Sequence, residues 1–175
     1  MGPSFVTPYA LWADTPVSAL RAADHLLLAL AAELALPEGT FACTHLIRGD
    51  RPRVALSFTL PSEPLLRTAE ERLTAQGYEV TPGVPDEVGR AVVYPGADSL
   101  NGTVTVGELL TRSAIDRVTV LGSPGQPPAG QTLLTHGHVR PQWQGDELVL
   151  AAMPAVGGTL VPFEVPDPTP CCADH

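Results

Sequence analysis

Residues 40–60, TFACTHLIRGDRPRVALSFTL, decide how the first half of this chain folds. Residues 40–48 and 53–60 are rich in strand formers, and Gly49-Asp50-Arg51-Pro52 between them is a turn signal. The stretch therefore reads as a β-hairpin. Side chains two apart on a strand point the same way. Val54, Leu56, Phe58 and Leu60 should then share one face of the second strand, and Phe41, Cys43, His45 and Ile47 one face of the first.

Working outward, residues 4–12 read as an edge strand, because Pro8 cannot donate to a central ladder. Asp14 or Thr15 should cap a helix with Pro16 in its first turn, ending near Leu36 before Pro37. Its early turns are amphipathic, and its later turns are apolar nearly all round, which predicts a buried end. Downstream, Ser62 should cap a second helix reaching Gln76, with Gly77 at its C-terminal cap. A strand resumes at residues 78–81. The order strand-helix-strand-strand-helix-strand resembles a ferredoxin-like unit. That is an expectation of topology, and topology does not name a function.

After Thr81 the punctuation changes. Pro82, Gly83, Pro85 and Asp86 form a loop, and strands are expected at 89–94, 100–106 and 117–121, with a short helix at 107–114. A Pro/Gly loop at 122–130 leads to three more strands at 132–143, 147–152 and 158–165, with Gln144-Gly145-Asp146 turning between the first two. The expected fold class is α+β. A ferredoxin-like half spans residues 1–82, and a β-rich subdomain sharing its core spans 83–165, built as a mostly antiparallel sheet or partial barrel. Residues 166–175 form an extended Pro-rich tail.

Composition removes whole classes of function. Hydrophobic content of 44% over 175 residues is enough for an interior, and charged content of 17% is too low for a disordered chain. No lysine occurs: all ten basic residues are arginine. This excludes a pyridoxal phosphate (PLP) Schiff base, a phosphate-loop lysine, and biotin or lipoyl carriage. The arginine, alanine, proline and glycine bias suggests a GC-rich bacterial genome. A net charge of −9 without a basic stripe argues against nucleic acid and against an anionic membrane surface. The most apolar run, residues 26–36, is too short to span a membrane. Three cysteines and no signal-like start point to reducing cytoplasm.

What chemistry the chain offers lies in its soft donors. Cys171, Cys172 and His175 end it, Cys43 stands two before His45, and His136 two before His138. Thiolates and imidazoles are preferred ligands of zinc. On strands, each i, i+2 pair would present both donors to one side. One expectation is a small intracellular protein whose tail closes a Cys/His site for a zinc-like ion, or a thiol pair at Cys171 and Cys172. Structural readings stand beside it. Cys43 and His45 could be a small hydrophobe and a hydrogen-bonded core histidine, and His136 and His138 a solvated strand face. The alternative function is a non-catalytic binding or assembly module whose tail docks on its own domain, on a second copy or on another protein. No catalytic motif and no substrate are visible.

Overall fold

The computed structural model describes residues 9–165. Cys171, Cys172 and His175 lie outside the described residues. The fold is α+β, with three α-helices and mostly antiparallel sheet among the described residues. Its residues group into two compact units, 9–95 with 142–146, and 96–141 with 147–165.

In the first unit the order is β1 (Ala10–Asp14), α1 (Leu20–Leu34), β2 (Phe41–Ile47), β3 (Arg53–Thr59), α2 (Glu63–Ala75), β4 (Val80–Pro82) and β5 (Arg90–Val93). The hairpin of β2 and β3 is in register from Phe41 opposite Thr59 to Ile47 opposite Arg53. The strands run β4-β1-β3-β2-β5, every neighbour antiparallel. One further strand, β9 (Gln142–Gln144), pairs antiparallel with β5 through Arg90 and Gln142.

Alternation along β3 decides which face is interior. Val54, Leu56 and Phe58 pack with Leu11 and Ala42 against Ala23, Leu27, Leu30 and Leu34 of α1 and Ala69 and Leu73 of α2. The intervening residues, Cys43 and His45 on β2 and Ser57 on β3, therefore point to the face away from the helices.

Three local expectations are corrected here. β1 is not an edge: it pairs with both β3 and β4. The paired segment runs from Ala10 to Asp14. Helix α1 starts at Leu20, with Ala19 at its N-cap and no side-chain cap. Thr15 is committed elsewhere: its hydroxyl donates to the Val54 carbonyl at 2.6 Å and accepts from Val17 N–H at 3.1 Å. The C-terminal end stops before Pro37 as expected, through Ala35 in the left-handed region at φ 50°. Helix α2 starts after Ser62, though the Ser62 side chain makes no cap bond, and it ends in a turn at Gly77 with φ 94°.

The second unit contains β6 (Thr103–Thr105), α3 (Val106–Arg112), β7 (Arg117–Val120), β8 (Thr132–Leu134), β10 (Glu147–Pro154) and β11 (Leu160–Pro162). Its strands run β7-β10-β11-β8-β6, with β7 and β10 parallel, β8 and β11 parallel, and the remaining pairs antiparallel. This is an open sheet, so the partial-barrel alternative gives way. Helix α3 carries a full capping box: Thr105 Oγ1 accepts from Glu108 N–H at 3.1 Å, and Thr105 N–H donates to Glu108 Oε1 at 2.9 Å.

One more correction belongs to this unit. The single strand expected over 132–143 is broken. Thr135 to His138 form a tight turn, with His138 N–H donating to the Thr135 carbonyl at 3.0 Å and φ of 55° at His136 and 65° at Gly137. In the segment 160–163, Leu160 and Val161 are buried and Phe163 alone is exposed. Among the described residues no helix is long and apolar enough to cross a membrane.

Candidate functional site

On the helix-free face of the first unit, β2 and β3 form the floor of a cavity of about 540 Å³. Phe41, Cys43, His45, Ser57 and Thr59 contribute floor residues. Residues 84–89, between β4 and β5, form one wall, and Trp143 of β9 with the following Gly145-Asp146 turn forms another. This volume lies within the range of small-molecule pockets.

The floor follows from the hairpin. Cys43 and Ser57 are directly opposite across the β2–β3 ladder, and His45 is two residues along on the same face. His45 is buried with both ring nitrogens engaged. Its Nδ1 lies 2.9 Å from the Glu87 backbone oxygen. A carbonyl only accepts, so Nδ1 carries the hydrogen and donates. Burial pushes the imidazole pKa down, which keeps the ring neutral, against the opposing pull of the Glu87 carbonyl and carboxylate. Nε2 is then a bare lone pair, and the Ser57 hydroxyl donates to it at 2.7 Å. Chemically this is a hydroxyl held on a neutral, oriented base.

Burial also pushes the Cys43 thiol up to about 12, against smaller downward contributions from the Trp143 and Ser57 side chains. Cys43 is thus a protonated thiol at neutral pH. Metal capture by Cys43 and His45 would require removing that proton and giving up a hydrogen bond of His45.

Gly89 brings the wall onto the floor. A Cβ at this position would meet His45 Cε1 at 3.1 Å and Trp143 Cδ1 at 3.2 Å, so a side chain here would push the wall away from the imidazole. The Gly89 carbonyl accepts from Trp143 N–H at 2.9 Å, which seats the indole over the cavity. There it meets Phe41, with ring centroids 5.5 Å apart and planes inclined at 54°.

Of the donors expected from sequence, Cys43 and His45 share a face and a cavity. His136 and His138 do not share a strand face, because the turn separates them. His136 is exposed, and His138 Nε2 lies 2.7 Å from Glu164 Oε2. Cys171, Cys172 and His175 are outside the described residues.

Sequence reasoning missed Ser57, Gly89 and Trp143. Ser57 was within reach of it: a symmetric hairpin closing over 48–52 puts position 57 opposite position 43. Trp143 was not, because nothing local says that residues 142–144 pair with β5.

A second buried polar group sits on the opposite face. Arg90 of β5 donates from Nη1 to Asp24 Oδ1 at 2.6 Å and from Nη2 to Asp24 Oδ2 at 2.9 Å. Its Nη1 also reaches Thr44 Oγ1 at 3.1 Å. This fork clamps α1 to the sheet and is structural in character.

No protein-family model, no curated protein and no solved structure matches this chain.

Proposed function

We propose that this chain is a small-molecule binding protein and that its ligand occupies the cavity over β2 and β3. The carrying observation is a pocket with apolar, aromatic walls whose few polar floor groups are already oriented by hydrogen bonds. Preorganised polar points inside an apolar enclosure are what small-ligand sites use for specificity. This reading belongs with the binding-module expectation rather than with the tail-metal one.

The experiment is a titration of the full chain with small aromatic compounds, followed by NMR at the Trp143 indole N–H and the His45 ring. Binding should move both resonances and leave residues of α2 untouched. Filling the cavity with Thr59→Phe should abolish the shifts while the far-ultraviolet dichroism is kept. If no compound moves Trp143, the reading fails.

Three further readings accompany the pocket. The first unit is read as ferredoxin-like, a reading supported by its element order and by the strand order β4-β1-β3-β2. A reducing, cytoplasmic setting is read from three cysteines, of which Cys43 is a free thiol. A zinc-like site involving Cys171, Cys172 and His175 rests on sequence alone. Metal content of untagged protein, compared with a Cys171→Ser, Cys172→Ser double variant, tests it: equal content in the two removes the idea.

A further inference from the structure

We propose that the ligand of the β2–β3 cavity is an amphipathic amine, its apolar body against Phe41 and Trp143 and its protonated nitrogen at the carboxylate-lined mouth. This deepens the pocket reading above and rests on it.

Charge complementarity carries the argument. Asp86, Glu87 and Asp146 line the cavity and are exposed, which places them at its mouth. They arrive from two separate segments, the 84–89 wall and the turn after β9. No arginine lines the cavity, and the chain has no lysine to offer. Among the described residues none of these three carboxylates is held in an ion pair, whereas Asp14, Asp24, Glu63, Glu108 and Glu147 each are. An anionic ligand would meet like charge at the entrance and no arginine in the lining to offset it. A cation meets the reverse.

The polarity of the floor points the same way. The Glu87 carbonyl takes the Nδ1 hydrogen of His45, and Nε2 takes the hydroxyl hydrogen of Ser57. The imidazole has no N–H left to offer a carboxylate or phosphate. The aromatic pair, Phe41 of the floor and Trp143 of the wall, offers ring faces to an apolar body. Mouth and floor thus disfavour an anion, and the wall suits an apolar body whose cationic end lies at the mouth.

The test uses three probes with similar bodies and different heads: 2-phenylethylamine, 2-phenylethanol and 3-phenylpropionate. Each is titrated into the full chain near pH 7 at low salt, with the Trp143 indole N–H as readout. The amine should bind roughly tenfold more tightly than the alcohol, and the carboxylate most weakly. Added salt should erode the amine's advantage. In an Asp86→Asn, Asp146→Asn double variant, at two exposed positions, the ratio of amine to alcohol affinity should shrink to about threefold or less. An alcohol or carboxylate that binds as tightly as the amine overturns the inference and leaves the pocket reading standing. An amine preference that survives the double variant in full also overturns it. If none of the three moves Trp143, the pocket reading itself falls.

Discussion

At the residue scale, burial decides which members of the Cys43–His45–Ser57 group are chemically available. A thiol held near 12 is almost wholly protonated at pH 8, and the thiolate is the reactive form. Cys43 should therefore resist iodoacetamide in the folded protein at pH 8 and react readily once urea unfolds it; peptide mass mapping separates it from the other two cysteines. Rapid native labelling at Cys43 would contradict the assigned burial. His45 gives a pH prediction of defined sign. Its folded pKa is depressed, so below the ordinary value of 6.5 the unfolded chain binds a proton that the folded one refuses. The stabilisation is present above about pH 6.5 and is lost as pH falls through and below it. The urea midpoint should drop between pH 7 and 5, and the slope over that interval should be shallower in His45→Gln. Equal slopes in the two proteins would show that His45 titrates normally.

At the element scale, the helix ends separate what local sequence encodes from what neighbours impose. The Thr105-x-x-Glu108 pattern is a local signature, and it forms the full box in the structure. Glu108 is half-exposed, and its carboxyl is held below the usual range first by the Thr105 backbone N–H and then by Arg112. Helix α1 behaves differently at both ends. Thr15, a good capping residue, is drawn onto the β3 backbone, and the helix begins five residues later without a side-chain cap. Its other end forces Ala35 to φ 50°, a conformation that disfavours any residue with a Cβ. Replacing Ala35 with glycine should therefore stabilise the protein by about 0.5–1 kcal/mol, net of the added freedom of the unfolded chain. Thermal unfolding measures it, and a lowered midpoint would mean that the Ala35 methyl does more in packing than its backbone costs.

For the whole molecule, a buried ion pair matters more than the surface charge. Asp24 and Arg90 are 66 positions apart in the chain, and both side chains are nearly inaccessible, at 6% and 7% exposure. Nothing in the pattern around Asp24 distinguishes it from a solvent-facing acid in an amphipathic turn. Taking away one partner breaks a buried, doubly hydrogen-bonded charge pair, which costs about 3–5 kcal/mol. Asp24→Asn and Arg90→Met should each lower the urea midpoint substantially. The double variant Asp24→Leu, Arg90→Met should recover much of that loss, because neither charge of the pair then remains. Additive losses in the double variant would argue that the pair does not act as a unit.

By itself, the sequence determined the elements whose signals are local. These are the β2–β3 hairpin and its alternating faces, α2 with its glycine stop, the end of α1 before Pro37, and an α+β fold with mostly antiparallel pairing. It also placed Cys43 and His45 on one side of one strand. Only tertiary structure decided that β1 is interior, that residues 132–143 break at His136-Gly137, and that Trp143 and Gly89 close over His45. The reason is physical. Periodicity and turn chemistry are set within a few residues, whereas strand order and cavity walls depend on which distant backbones exchange hydrogen bonds, and no short stretch carries that choice.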